Sequence, residues 1–427
     1  MKPFSSREAL RSHQQQGLQA LVRIVLAGNP FYQAKLEGLP PNWEALTLEA
    51  LLDVLPFTSK GELAESQRLH PPYGNHLSFP LSRYTRCHQT SGTSGFPLRW
   101  LDTPESWAWM LDNWKRVFAA ASVTPSDRVY FAFSFGPFLG FWTAFEAATS
   151  MGCLCFPSGG LSTSARARAI LESGATVLCC TPSYALHLGE TIRKEALPLE
   201  RSQVRRLLVA GEPGGSIPAT RSRIESLWPG ALVVDHHGMT EIGPVSYQCP
   251  AQSSLLHVME ASFLLEAIHP ENLTPAEPGR PGELVLTNLG RDGSPLIRYR
   301  TGDLVSLSDV GLCKCGSLDR GLTGGILGRT DDMVVVRGVN LYPSAVHEVI
   351  QNTPGIGEYQ VQIHTSSALT TAKILIELDE PCVAPAERVH RLESNLHTAF
   401  SLRFELEVRP FGTLPRSEHK SRRWMKG

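Results

Sequence analysis

The chain lacks an excess of charge of either sign. Its 40 Lys and Arg face 41 Asp and Glu, a net charge of −1 over 427 residues. So neutral a chain has no global basic field to draw in nucleic acid or an anionic membrane surface, and neither is expected as a partner. Charge of any kind is scarce, at 19% against a usual ~25%. With 42% hydrophobic residues the chain has too much to bury to be disordered. Internal repeats and low-complexity segments are missing too. The first six residues carry one Lys and no apolar run, so no signal peptide is expected. One uncharged stretch, 129–145, falls short of the ~20 residues that span a bilayer. Gly136-Pro137 interrupts it, and a soluble strand, loop and helix is expected there. Disulfides are not indicated either. The nine cysteines are an odd number, and Cys153, Cys155, Cys179 and Cys180 sit inside apolar runs. Reduced, buried thiols in a reducing compartment, the cytoplasm, fit that usage.

What is present is length, and glycine with proline. At ~100–200 residues per domain the chain has room for two or three domains. The 36 glycines and 31 prolines are about 16% of the chain against a usual ~12%, which marks a loop-rich α/β protein. A helix is expected over 8–27, stopped by Gly28-Asn29-Pro30. From residue 129, strand patterns (128–133, 152–156, 175–181, 205–210, 232–235) alternate with helix patterns (140–150, 164–173, 183–193, 218–227). That alternation predicts βαβ units and a parallel sheet. Beyond Asp235 the pattern turns β-rich (256–268, 283–288, 303–307). A Gly-rich connector at 319–328 precedes strand and helix patterns at 333–337, 344–352, 359–364, 373–379, 386–400 and 405–409. The expected fold class is therefore α/β: a large N-terminal domain, 1–328, of parallel and mixed sheets with helices plus a β-rich subdomain. A small α+β C-terminal lid domain, 329–427, follows it.

Five motifs carry chemistry. Residues 89–97 (QTSGTSGFP) are a candidate phosphate loop, with backbone amides and hydroxyls as donors and an ordinary loop as the alternative, and they are not a G-x-x-x-x-G-K-[ST] loop. Residues 235–241 (DHHGMTE) place carboxylates at the carboxyl end of a parallel strand, where α/β sheets bind ligands and metals. Residues 298–304 (RYRTGDL) set Asp303 in a turn, where a carboxylate accepts from two hydroxyls at once. Residues 328–333 (GRTDDM) run on to 337–343 (RGVNLYP), and 414–420 (LPRSEHK) lie near the C-terminus.

In this order and at these separations the motifs resemble the phenylacetate–coenzyme A ligase family of the adenylate-forming superfamily. Leu55-Pro56-Phe57-Thr58-Ser59-Lys60 is also similar to that family's N-terminal LPFTTK, and Gly211-Glu212-Pro213 to its adenine-side loop. The resemblance spans residues 50–426. It implies an acid–CoA ligase that uses ATP, Mg²⁺, a small carboxylic acid and coenzyme A in two half-reactions. Carboxylate and ATP give an acyl-adenylate and pyrophosphate, and a thiol then displaces AMP. By resemblance Ser91, Gly92, Thr93, Ser94 and Gly95 hold the β- and γ-phosphates. Glu241, with Thr240 beside it, holds Mg²⁺. Gly211, Glu212, Pro213, Asp235, His236 and His237 lie on the adenine side, and Asp303 and Arg329 bind ribose. Lys420 bridges the carboxylate and the α-phosphate, and Asp331 is the hinge of the lid. Arg337 and Gly338 reach the CoA tunnel.

The chain departs from the family pattern at Phe96, where the phosphate loop usually carries Lys; Arg99 is a candidate to compensate. The rings of Phe133, Phe135, Phe138 and Phe141, with Gly238, are expected to line the acyl pocket, with core packing as the alternative. A slot for a flat ring favours an aryl or arylacetic acid, with a fatty acid behind it. Cys249, His257, Cys313 and Cys315 make a candidate closed set for structural Zn²⁺, the alternative being four independent reduced side chains. Also open are transfer to a carrier protein or an amine, a non-catalytic nucleotide-binding protein, and assembly as a homodimer.

Overall fold

The computed structural model describes residues 4–90, 97–277, 279–332, 334–336, 339–365, 370–379, 384–416 and 423–426. Five parallel strands lie in the order Leu154–Pro157, Arg128–Phe131, Val177–Cys180, Arg206–Val209 and Leu232–Asp235. Successive side chains on a strand face opposite ways, so each strand feeds two cores. Val129, Phe131, Cys179, Leu208 and Val234 pack with helices Pro104–Ala120 and Trp142–Ser150. Tyr130, Leu178, Cys180, Leu207, Val209 and Val233 pack with helices Thr163–Glu172, Pro182–Lys194 and Pro218–Leu227. Cover on both faces is what near-continuous apolar strands require. The α/β alternation read from the sequence is present, and so is the β-rich part that follows it.

The uncharged stretch 129–145 holds the strand Arg128–Phe131, a loop and the start of helix Trp142–Ser150. Among the described residues no helix is long and apolar enough to cross a membrane. The run 256–268 is not one strand. It divides into Gln252–Val258 and Phe263–Ile268, which belong to different sheets. The break falls at Glu260, whose buried carboxylate pairs with Arg7 and accepts from the Arg320 amide.

The antiparallel part has a four-stranded sheet (Phe263–Ile268, Pro281–Asn288, Tyr299–Ser306, Gly328–Arg329) and a three-stranded one (Ser246–Cys249, Gln252–Val258, Gly321–Thr323). Helices Arg7–Gly28, Pro30–Lys35, Leu48–Val54 and Lys60–Leu69 precede the sheets, and the first three pack on Leu264 and Ile297. Thr58 stitches this layer to the next: its amide donates to Arg298 O (2.9 Å) and its carbonyl accepts from Arg300 N (2.8 Å).

The C-terminal part has a core of its own, around Leu341, Val346, Ile350, Val361, Ile374, Leu392 and Leu396. Its sheet runs Glu405–Arg409, Thr370–Leu378, Ile356–Thr365, Trp424–Lys426, with helices Pro343–Gln351 and Pro385–Phe400. Helix Pro218–Leu227 holds it: Arg223 donates to Ile356 O and Gly357 O, each at 3.1 Å, and Thr220 Oγ1 lies 3.2 Å from His347 Nε2.

Candidate active site

The site begins where the last parallel strand ends. Asp235 is buried there, accepting from Ser216 Oγ (2.5 Å) and the His236 amide (3.0 Å). Burial raises its pKa above the usual carboxylate range, against the pull of the Ser216 bond and of Arg221. The backbone must pass close by: a Cβ on Gly215 would stand 2.4 Å from Asp235 Oδ1, so only glycine fits.

His236 turns into the core. Its Nδ1 lies 2.6 Å from Ser246 O, and because a carbonyl only accepts, Nδ1 carries the proton. Its ring leans on Trp114, centroids 4.3 Å apart, and burial pulls its pKa down to about 3, so it is neutral. His237 faces the other way, with Nε2 3.0 Å from Asp303 Oδ2. Asp303 is held from both sides, since Arg329 donates to its Oδ1 at 2.8 Å. Burial alone would raise the Asp303 pKa; the hydrogen bonds from His237 and Arg329 and the Arg329 charge outweigh it and hold the carboxyl below its ordinary range. Arg329 spans two carboxylates, reaching Asp331 as well at 2.8 and 3.0 Å. Backbone register sets this up, for Asp303 and Arg329 are direct partners on adjacent antiparallel strands.

Glu241 is buried within the short turn that joins the paired segments Gly238–Met239 and Gly243–Pro244. The turn is anchored from below: Arg291 donates to Thr240 O (2.8 Å) while its other nitrogens clamp Asp102 at 2.7 Å, both side chains fully buried. Lys60 approaches from the N-terminal helices, with Nζ 3.7 Å from Glu241 Oε1.

Among the sequence-predicted residues, Asp235, His236, His237, Asp303, Arg329 and Asp331 form one connected region by these contacts, and Thr240 and Glu241 follow it along the chain. Gly211 has φ +95°, a left-handed turn, and leads into Glu212, whose carboxylate accepts from the Ser183 amide (2.8 Å) at the start of helix Pro182–Lys194. That carboxylate is therefore committed to the helix, with Pro213 following it. Ser91, Gly92, Thr93, Ser94, Gly95, Phe96, Arg337, Gly338 and Lys420, expected in the phosphate loop, the CoA tunnel and the catalytic bridge, lie outside the described residues. Lys60, Arg291, Asp102, Ser216 and Ser246 were not singled out as site residues. Only Lys60 had a signal, as the last residue of the LPFTSK motif.

On the acyl side the rings pack mainly on one another. Phe141 is buried in the core, 5.4 Å from Phe133, and Phe135 meets Trp142 at 4.9 Å and Phe145 at 5.5 Å, all near edge-to-face. Phe133, Phe135 and Phe138 stay half-buried. Gly140, at φ +40°, lets Phe133 cross the backbone, where a Cβ would come within 2.2 Å of the ring. Gly238 has no room for a Cβ either, at 2.8 Å from Gly243 O.

A second cluster lies apart from these residues. The Cys249, His257, Cys313 and Cys315 ligand atoms all fall within 4.8 Å of one another. Two strands bring the first pair; a tight turn closed by Gly316 N donating to Cys313 O (2.8 Å) brings the second. His257 Nδ1 is 2.7 Å from Asp319 O, which turns Nε2 toward the thiols, 3.3 Å from Cys315 Sγ.

The AMP-binding enzyme family model matches residues 80–289, and the AMP-binding enzyme C-terminal domain matches residues 338–426. The phenylacetate-coenzyme A ligase of Thermus thermophilus is 31% identical, over 96% of this chain and 95% of its own. A crystal structure of 2-hydroxyisobutyryl-CoA ligase in the postadenylation state, in complex with 2-HIB-AMP, matches with TM-score 0.91 at 27% identity, over 100% of this chain and 90% of that one. The same enzyme with 2-HIB-AMP and CoA in the thioesterification state matches at 0.74, with 27% identity, 99% of this chain and 90% of that one. The chain belongs to the phenylacetate–coenzyme A ligase family of AMP-binding enzymes.

Proposed function

We propose that the protein is an ATP-dependent carboxylic acid–CoA ligase that works through an acyl-adenylate, with an aryl or arylacetic acid as its substrate. The observation that carries this reading is the Asp303 carboxylate, kept ionised between His237 and Arg329. Ionised and fixed, Asp303 is suited to accept from both hydroxyls of a ribose. In the first half-reaction a carboxylate oxygen of the acid attacks the α-phosphorus, and pyrophosphate leaves with the bonding electron pair. In the second, a thiolate attacks the acyl carbon and AMP leaves. Neither step needs a Ser–His–Asp set; both need charge neutralised and reactants aligned.

Glu241 offers hard carboxylate oxygens in a buried position, a fit to Mg²⁺. When bound, that ion neutralises phosphate charge. Residues 91–95 cradle the phosphates, and Lys420 bridges carboxylate and α-phosphate. Asp331 serves as the hinge on which a lid of residues 329–427 turns, carrying Arg337 and Gly338 to the thiol tunnel. Three thiolates and one imidazole nitrogen suit Zn²⁺, so Cys249, His257, Cys313 and Cys315 would hold it in a structural role.

The test is product analysis by mass spectrometry with ATP, Mg²⁺ and CoA over aryl, arylacetic and fatty acids. Equal amounts of acyl-CoA and AMP from an aryl or arylacetic acid are expected, and Lys420→Ala abolishes them. Acyl transfer only to a carrier protein or an amine, or no product with any acid, would overturn the assignment.

A further inference from the structure

The phosphate-loop segment carries no cation of its own: residues 90–98 (TSGTSGFPL) contain neither Lys nor Arg. The β- and γ-phosphates of ATP bring most of its negative charge, and pyrophosphate leaves with it, so a cation is required near that end of the nucleotide. Arg99 follows in sequence, but its NH1 donates to Pro72 O at 2.9 Å and its amide is held by Gln67. That bond engages its guanidinium with the turn at Pro72.

Lys60 is placed otherwise. Its Nζ lies 3.7 Å from Glu241 Oε1, with the side chain 38% exposed and that of Glu241 9% exposed. Helix Lys60–Leu69 begins with this residue, where a positive charge opposes the helix dipole and weakens the helix. The base of the side chain is fixed all the same. Ser59 and Glu62 form a capping box beneath it. Thr58 is buried, bonded to Tyr32, to Ile297 O and to the backbone at Arg298 and Arg300. Phe57 lies under the Arg298 guanidinium, 3.8 Å away. The strand that carries Asp303 and the turn that carries Lys60 are thus one rigid unit, with a flexible ammonium at its tip.

We propose that Lys60 Nζ binds the β- and γ-phosphates of ATP, and the departing pyrophosphate, supplying the cation absent from the phosphate loop at Phe96. It moves no proton; it neutralises the leaving group as the bond from the α-phosphorus to the bridging oxygen breaks and the new bond to the acid's carboxylate oxygen forms. The proposal rests on the ligase reading above. A purely structural role, balancing Glu241, would treat every nucleotide alike.

The experiment is calorimetric binding of MgATP, inorganic pyrophosphate and AMP to the full chain, without acid or CoA. Lys60→Met is expected to weaken ATP and pyrophosphate roughly tenfold or more, the scale of one lost charge-assisted contact. AMP affinity stays within about twofold, since AMP lacks those phosphates. Lys60→Arg keeps most of the ATP affinity. Phe96→Lys in the Lys60→Met background restores much of it, and Arg99→Met changes nothing. Equal weakening of ATP and AMP, no weakening of either, or a loss caused by Arg99→Met would overturn the proposal. Should Lys60→Met fail to fold, Lys60→Gln and the single variant Phe96→Lys, which should tighten ATP against AMP, carry the same comparison. A wild-type protein that binds ATP but exchanges no pyrophosphate with any acid removes the ligase reading, and the ATP-to-AMP comparison still decides Lys60.

Discussion

The proposed nucleotide side and the proposed acyl side of the site are built by different rules. Around Asp303 the contacts are directional: His237, Arg329 and Asp331 each meet a partner at 2.8–3.0 Å, His237 from the turn after the last parallel strand and the other two from the segment that begins at Gly328. Around Phe133 the contacts are volumes, rings meeting near edge-to-face at 4.9–5.9 Å with no polar bond among them. A nucleotide is the same for every acid, so its side is held by fixed hydrogen bonds. The acid varies, and a wall of packed rings changes selectivity by changing size alone. Breaking the first side should abolish the reaction; breaking the second should redirect it.

The largest effect is expected at Asp303. Asp303→Ala leaves Arg329 and His237 facing an empty position, and ATP–pyrophosphate exchange should fall roughly 10²–10³-fold through lost ATP binding. A fall of less than about tenfold would mean the clamp is structural only. Next comes the anchor under Thr240. Arg291→Met strands the fully buried Asp102 carboxylate and should destabilise the fold by ~3–5 kcal/mol, read from denaturant midpoints. The thiol cluster provides a control outside both sides. A strong chelator, or Cys313→Ser together with Cys315→Ser, should release about one Zn²⁺ per chain, found by elemental analysis. Thermal stability should drop while the KM values of the remaining folded enzyme hold.

A smaller effect depends on pH. Burial holds His236 at about 3, His347 at about 3 and His76 at about 4. Unfolded histidines titrate near ~6.5, so below that pH the unfolded chain takes up protons that the fold refuses. Stability is full above that pH and falls as the pH drops, by about 1.4 kcal/mol per unit from each histidine. A flat profile of unfolding midpoints between pH 7 and 5 would contradict their burial as neutral rings. The smallest effect sharpens the acyl side: Phe133→Ala should shift kcat/KM toward bulkier acids by about tenfold, leaving the KM for ATP within about twofold.

Much of this was legible in the residues before any coordinates. The parallel strands announce themselves as apolar runs between helices, and RYRTGDL with GRTDD places Asp303 and Arg329 on one site through pattern alone. That last placement came from the family resemblance the two motifs carry, and other features depend on distance. Arg291 and Asp102 are 189 residues apart, and Lys60 and Glu241 meet only because Thr58 is tied to the strand at Tyr299. No local spacing encodes such pairs. Helix Pro104–Ala120 is a different case. Its Thr103 cap, its Pro104 start and its buried Trp107, Met110, Trp114, Val117 and Phe118 are local signals, but they lie before residue 129, where the alternation of strands and helices was taken up. The aromatic cluster was half legible: composition marks a wall of rings, but how Phe133 sits in it depends on the clearance at Gly140.

The measurement that bears most directly on the central claim is isotope exchange between pyrophosphate and ATP, run without CoA over the acid panel. An acyl-adenylate route predicts exchange that requires Mg²⁺ and the acid and needs no thiol, strongest with an aryl or arylacetic acid. Exchange that appears only when CoA is added, or none with any acid, would contradict it.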